Sequence, residues 1–209
     1  MKNMMMGCLL AGFSLFILAT VPAFAEGPAG ISLAGAAVPF IEGDAGTGIG
    51  APQYDDIFDS GWGIRMEPYY DFSQELRGLI GFTYQSWSGG TYSGFEFDDL
   101  NLWSFYFGIK YRFFPGSAVR PYVLADFGYA HLDSVDISTG GAKATYWDDT
   151  NTYLLDFGGG VELVISQNFS MYVDIRQQIF GEPDSALPPS SDAESPLSMP
   201  ISVGLNLNF

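Results

Sequence analysis

The last nine residues of the chain, Ile201-Ser202-Val203-Gly204-Leu205-Asn206-Leu207-Asn208-Phe209, alternate between apolar and small or polar side chains without interruption. Successive side chains leave a β-strand on opposite faces, so a period of two belongs to extended backbone. One face of this strand carries Ile201, Val203, Leu205, Leu207 and Phe209; the other carries Ser202, Gly204, Asn206 and Asn208. The pattern runs to an aromatic last residue, where a globular domain tends to fray into a polar tail.

The same period recurs along the chain and predicts eight strands, over residues 30–40, 61–72, 76–87, 99–114, 120–132, 151–165, 169–180 and 199–209. Residues 99–114 set Trp103, Phe105, Phe107, Ile109, Tyr111 and Phe113 against Ser104, Tyr106, Gly108, Lys110 and Arg112. Residues 151–165 set Leu155, Phe157, Val161, Leu163 and Ile165 against Asp156, Gly158, Gly160 and Glu162. The first segment, around Ile31-Ser32-Leu33-Ala34, is the weakest of the eight. Each is long enough for the ~9–11 residues that a tilted strand needs to cross a bilayer. The connections alternate: 73–75, 115–119 and 166–168 are short, and 41–60, 88–98, 133–150 and 181–198 are long. Short turns at one end and long loops at the other are the habit of transmembrane barrels, and an even strand count places both termini at the short-turn end.

The N-terminus predicts export. Lys2 is the only charge before Glu26, residues 9–21 are apolar, and Ala23-Phe24-Ala25 has the form of a signal-peptidase site. A cleaved signal peptide over 1–25 and a single mature domain over 26–209 are therefore expected, and removal of Cys8 leaves no cysteine for disulfide, thiolate or nucleophile chemistry. The formal net charge of -16 argues against nucleic acid as a partner, because phosphate binding needs basic clusters. No later stretch reads as a transmembrane helix, which leaves a closed barrel as the way to span a membrane.

Alternation alone does not say which face is inside. Soluble barrels place apolar residues inward, and membrane barrels reverse this. The polar faces are rich in glycine, as the narrow interior of an eight-stranded barrel requires, and lack the dense Lys and Glu of a soluble exterior. Aromatic residues gather at both ends of the strands: Trp62, Trp87 and Trp103 toward the long loops, and Tyr69, Tyr70 and Phe113 toward the short turns. They are expected to form two interfacial girdles. The polar faces also hold Arg65, Arg77, Lys110, Arg112 and Arg176 together with Glu67, Asp126, Asp156, Glu162 and Asp174. Five cations with five anions on inward faces suggest an ion-pair network in the lumen, since buried charges persist when paired and hydrogen-bonded.

The mature chain resembles the small OmpA/OmpX-like and OmpW-like outer-membrane β-barrel family, through its predicted signal peptide, eight alternating segments, loop alternation and terminal Phe209. The resemblance implies an all-β, eight-stranded antiparallel up-and-down transmembrane β-barrel in the outer membrane, with both termini periplasmic. It also implies that Phe209 is the assembly signal through which the last strand meets the barrel-assembly machinery. The barrel would be monomeric, in contact with outer-membrane lipids and lipopolysaccharide, and without a cofactor or metal.

The loops, with Asp99 at the edge of one of them, hold sixteen carboxylates against one cation, Lys143, and lack the calcium-loop spacing. They are expected to be soluble and mobile. His131 is the sole histidine, and His131-Leu132-Asp133-Ser134 invites comparison with outer-membrane lipid A hydrolases. Positions three apart on a strand point to opposite faces, so His131 and Ser134 do not converge. The sequence thus favours a non-enzymatic protein with a structural or surface-interaction role through acidic extracellular loops. The alternatives are a lipid A-modifying hydrolase using His131 and a narrow channel for small or hydrophobic molecules.

Overall fold

The structure is a computed structural model and describes residues 28–45, 52–183 and 194–209. The signal peptide expected over 1–25 lies outside the described residues, as do Asp184 and Asp192 of the last long loop. Fourteen strands are described: β1 (Ala29–Val38), β2 (Phe40–Glu42), β3 (Gly61–Asp71), β4 (Leu76–Trp87), β5 (Thr91–Tyr92), β6 (Phe95–Phe97), β7 (Leu100–Arg112), β8 (Val119–Leu132), β9 (Val135–Thr139), β10 (Ala142–Trp147), β11 (Thr150–Ser166), β12 (Phe169–Phe180), β13 (Leu197–Ser198) and β14 (Ile201–Asn208).

Eight of them close into one antiparallel barrel. Each pairs with its neighbour in the order β1, β3, β4, β7, β8, β11, β12, β14. β14 then pairs with β1, with Gly30 opposite Asn208 and Ala37 opposite Ile201. The faintly patterned first segment is therefore one side of the closing seam. Closure removes the unpaired edges that a membrane does not tolerate. The outer face is apolar, with Phe107, Ile109 and Phe127 each more than half exposed, and the inner face is polar. Among the described residues no helix is long and apolar enough to cross a membrane.

The inside is filled. A Cβ on Gly108 would strike the carboxylate of Asp126, and one on Gly160 would strike the backbone of Val173 and the side chain of Asp174. Glycine at these inward positions lets large polar side chains share a narrow bore.

Among the described residues the long connections carry secondary structure that composition does not suggest. Two of them build a second, four-stranded sheet in the order β10-β9-β6-β5. Its hairpins are two-residue turns: Gly140 and Gly141 have φ of 55° and 89°, and Ser93 and Gly94 have φ of 51° and 84°. Positive φ at both central residues matches the twist of the flanking strands. A further connection contributes a single helical turn, α1 (Tyr54–Ile57), capped at Gln53 and burying Tyr54 and Ile57.

Candidate functional site

The lumen has three levels, set by which strand positions face inward. At the waist lie six charged side chains from β3, β8, β11 and β12. Arg176 is the hub. Its Nη1 lies 2.6 Å from Asp126 Oδ2 and 3.8 Å from Asp156 Oδ2, and its Nη2 lies 2.8 Å from Glu67 Oε1 and 3.4 Å from Asp174 Oδ2. Arg65 donates through Nη2 to Asp174 Oδ1 and Oδ2 at 3.1 and 2.9 Å, and its Nε lies 3.3 Å from Glu67 Oε1. Neutral donors fill remaining positions. Tyr106 donates to Glu67 at 2.9 Å, Tyr122 to Asp174 at 3.2 Å and Gln178 to Asp156 at 2.9 Å.

All ten charged residues singled out in the sequence face the lumen and are buried. They do not form one balanced network. At the waist four carboxylates share two guanidiniums. Lys110 forms no ion pair among the described residues; its Nζ stands over the rings of Tyr122 and Tyr172 at 4.3 and 5.0 Å. Glu162 accepts from Ser170 Oγ at 2.5 Å and from Asn206 Nδ2 at 3.1 Å.

Arg77 and Arg112 sit toward the short turns, where both bind a carboxylate that the sequence reading passed over. Arg77 Nε donates to Asp71 Oδ1 at 2.8 Å, and Arg112 Nη2 stands 2.8 Å from the same oxygen. The Arg77 guanidinium also lies over the Tyr69 ring, 3.4 Å from its centroid. Asp71 was legible in principle, as a carboxylate at the end of a strand that the short turn brings opposite Arg77.

At the long-loop end the lumen is apolar. Val38, Tyr54, Ile57, Phe58, Trp87 and Trp147 are buried with their neighbours in one cluster. Phe40 stacks on Trp87 with ring centroids 4.8 Å apart, and Tyr54 packs on Trp147 at 5.4 Å. Trp87 Nε1 donates to the carbonyl of Val38 at 2.7 Å, which joins β4 to β1 across the mouth. Burial pushes the Tyr54 hydroxyl well above its ordinary pKa, and Tyr54 donates to the carbonyl of Glu194 at 3.1 Å. Val38 and Trp87 end β1 and β4, and the others come from two long connections distant in sequence, so no single local period marks the cluster.

The girdle expectation needs two corrections. Trp62, Trp103, Tyr70 and Phe113 stand exposed on the outer face, but Trp87 is fully buried in the cap and Tyr69 is 5% exposed inside the barrel. Both have the inward parity of their strands: Tyr69 shares a face with Arg65 and Glu67, and Trp87 with Arg77 and Gln85. Tyr69 donates to the carbonyl of Leu207 and to the side chain of Asn208.

His131 lies half-buried on the outer face. Its ring is 5.2 Å from that of Trp103, Nδ1 is 2.7 Å from Asn151 Oδ1, and Nε2 is 3.6 Å from Asp133 Oδ1. Phe209 is partly exposed, and its backbone N–H donates to the carbonyl of Ala29 at 2.9 Å. On the cap, Lys143 lies 2.9 Å from Asp98 and 3.1 Å from Asp136. A hydrogen bond from Thr145, then one from Lys143, holds the Asp136 carboxyl below the usual carboxylate range. Among the described residues no group of three or more His, Cys, Asp or Glu side chains is arranged to hold a metal ion.

Solved structures share this architecture. Neisserial surface protein A matches with a TM-score of 0.57 at 16% identity, covering 89% of this chain and 100% of that one. The outer membrane protein OprG from Pseudomonas aeruginosa matches with a TM-score of 0.58 at 14% identity, covering 88% of this chain and 98% of that one. Ail, the attachment invasion locus protein of Yersinia pestis, in complex with the heparin analogue sucrose octasulfate, matches with a TM-score of 0.51 at 16% identity, covering 88% of this chain and 100% of that one. At these identities the likeness concerns the fold. No curated protein matches the sequence. The model of the outer membrane protein beta-barrel domain matches residues 11–209, and the chain belongs to that family of outer-membrane barrels.

Proposed function

We propose that this barrel is a non-enzymatic outer-membrane protein whose folded acidic cap is its working surface. The observation that carries the reading is a lumen occupied from waist to cap, under loops whose exposed carboxylates include Asp55, Asp98, Asp99, Asp148 and Asp149. A bore filled by paired charges and closed by packed aromatic rings favours a surface role over a passage role. The outward position of His131, packed against Trp103, favours an interfacial side chain over a catalytic base.

In this reading the cap faces outward and both termini face the periplasm. The belt contacts outer-membrane lipids, and the cap meets lipopolysaccharide or a cationic partner. Phe209 at the end of β14 serves the barrel-assembly machinery, and the barrel works as a monomer. Its deletion is expected to lower the yield of folded protein in the outer membrane.

The test has three readouts. Refolded protein in a planar bilayer is expected to give no steady conductance. Lipid A from cells with and without the protein is expected to have the same mass. Cells displaying the protein are expected to bind polylysine, and replacing Asp98, Asp99, Asp148 and Asp149 by Asn is expected to lower that binding several-fold. A steady conductance, or deacylated lipid A that disappears with His131→Ala, would overturn the reading.

A further inference from the structure

We propose that the short-turn mouth of the barrel is an oxyanion-binding site built on Arg112 and Arg120, taking a phosphate or carboxylate group. The site is at the opposite end from the cap and does not depend on the role given to the cap.

Cations are scarce in this chain, with eight Lys and Arg against twenty-four Asp and Glu. Three of the eight, Arg77, Arg112 and Arg120, gather at one rim. A cavity of about 400 Å³ opens there, lined by Asp71, Gln74, Arg112, Gly116 and Arg120 among others. That volume is at the small end of ligand pockets and suits one compact anion.

Some donors at this rim are left without acceptors. Asp71 is shared by two guanidiniums, with Oδ1 2.8 Å from Arg77 Nε and 2.8 Å from Arg112 Nη2. Asp71 is the carboxylate in contact with both guanidiniums among the described residues, and it does not reach every donor they carry. Arg112 is 3% exposed, and its Nε has no hydrogen-bond partner; Arg77 Nη1 is likewise buried and unpartnered. A buried donor without an acceptor is destabilising, and a ligand oxygen would relieve it.

Arg120 adds a third guanidinium. Its tether is one hydrogen bond from Nε to the carbonyl of Ser117 at 3.0 Å, which leaves its terminal nitrogens available to a ligand. Two other carboxylates stand near the rim, and neither forms an ion pair with Arg77, Arg112 or Arg120 among the described residues. Glu75 accepts from Ser73 Oγ at 2.8 Å. Glu162, opposite Arg120 in the register of β8 and β11, accepts through Oε1 from Ser170 and Asn206, and its Oε2 has no hydrogen-bond partner.

Planar guanidiniums present paired N–H groups that match the oxygens of phosphate and carboxylate. The partly desolvated rim strengthens such contacts over their value in water. In the orientation proposed above, the anion comes from the periplasm or from a lipid headgroup of the adjoining leaflet.

The test uses the full mature chain refolded in a nonionic detergent, with inorganic phosphate as the probe. Arginine side-chain Nε–Hε resonances are followed by NMR during titration, with chloride at matched ionic strength as the control. Saturable shifts at Arg112 and Arg120 are expected with phosphate and not with chloride. Arg120→Gln, which removes a side chain held by a single bond, is expected to weaken phosphate affinity about tenfold, equivalent to ~1.4 kcal/mol. Lys143→Gln on the cap is expected to leave the affinity unchanged.

Repeating the titration in nanodiscs with and without phosphatidylglycerol separates the sources. Weaker phosphate binding in the anionic bilayer assigns the site to a headgroup, and unchanged binding assigns it to a free anion. Shifts that do not saturate, shifts that chloride reproduces, or an affinity that Arg120→Gln leaves intact would overturn the proposal.

Discussion

Around the height of Arg176 the large inward side chains of the barrel strands are mostly charged or hydroxylated, with glycines between them. Further toward the long loops the inward positions of the same strands carry Trp87, Leu102, Leu132, Leu154 and Phe180. Parity stays constant along each strand while the chemistry of the inward face changes. The waist has only barrel side chains to fill it. Long polar groups from opposite walls meet there, and each charge needs a partner because solvent is excluded. At the cap the loops fold back over the mouth, so apolar surface finds apolar surface. The period of an outer-membrane strand thus reports which side a residue faces, while the type of inward residue reports what fills the barrel at that height.

The largest expected effect comes from removing the hub of the waist. Arg176→Ala leaves Glu67, Asp126, Asp156 and Asp174 facing one another with only Arg65 among them. Breaking a buried pair costs on the order of 3–5 kcal/mol, and this change removes several contacts at once. Urea midpoints in lipid should fall sharply relative to Asp55→Ala on the cap, where the side chain is exposed. Equal midpoints for the two would mean a wet waist whose charges are separately solvated.

Truncating the cap should cost somewhat less and act locally. Trp87→Ala removes a fully buried indole and its bond to Val38, a loss of about 3 kcal/mol. Loops of the cap are expected to become cleavable by added protease while the barrel keeps its heat-modifiable migration on a gel. Loss of the barrel as well would show that cap and waist unfold as one unit.

The smallest effect is expected at Lys143. Its bridges to Asp98 and Asp136 are exposed, so salt screens them and Lys143→Ala should change stability little. The pH dependence has a definite sign. Asp136 is held below the usual carboxylate range and Lys143 above the usual amine range. The carboxylate contribution is present above the ordinary Asp pKa and is lost as pH falls through the lowered one. The amine contribution is present below the ordinary Lys pKa and is lost as pH rises through the raised one. Protease resistance of β9 and β10 should therefore be flat around neutrality and decline at both extremes, more gently than in the Trp87 variant. A maximum shifted into acid would contradict this assignment.

Strand number, order and the inward set of charges were legible in the sequence because a two-residue period survives any packing. The same rule, applied strictly, would have placed Tyr69 and Trp87 inside; their aromatic character and their nearness to strand ends suggested a girdle instead. The cap sheet was harder to see. β5 and β6 are two and three residues long, too short to show a period, although Gly140-Gly141 between two short polar runs is a hairpin signal. The apolar cluster joins residues such as Tyr54 and Trp147 from separate loops, so only the folded chain brings them together. The division of the lumen charges into a waist, a short-turn rim and an isolated Lys110 also escaped the sequence, since equal numbers of cations and anions say nothing about who meets whom.

The seam between β1 and β14 sets a constraint in time. Ala29–Val38 is among the earliest segments described, and its partner on one side is the last strand in the sequence. During synthesis and export, β1 waits with half of its hydrogen-bonding edge unfilled until the remainder of the chain has followed. An open edge of this kind pairs readily with other chains, and closing a loop this long is slow compared with forming the local hairpins. The hairpins can be ready early, but sealing comes last, and until it does the protein depends on something else to shield its first strand.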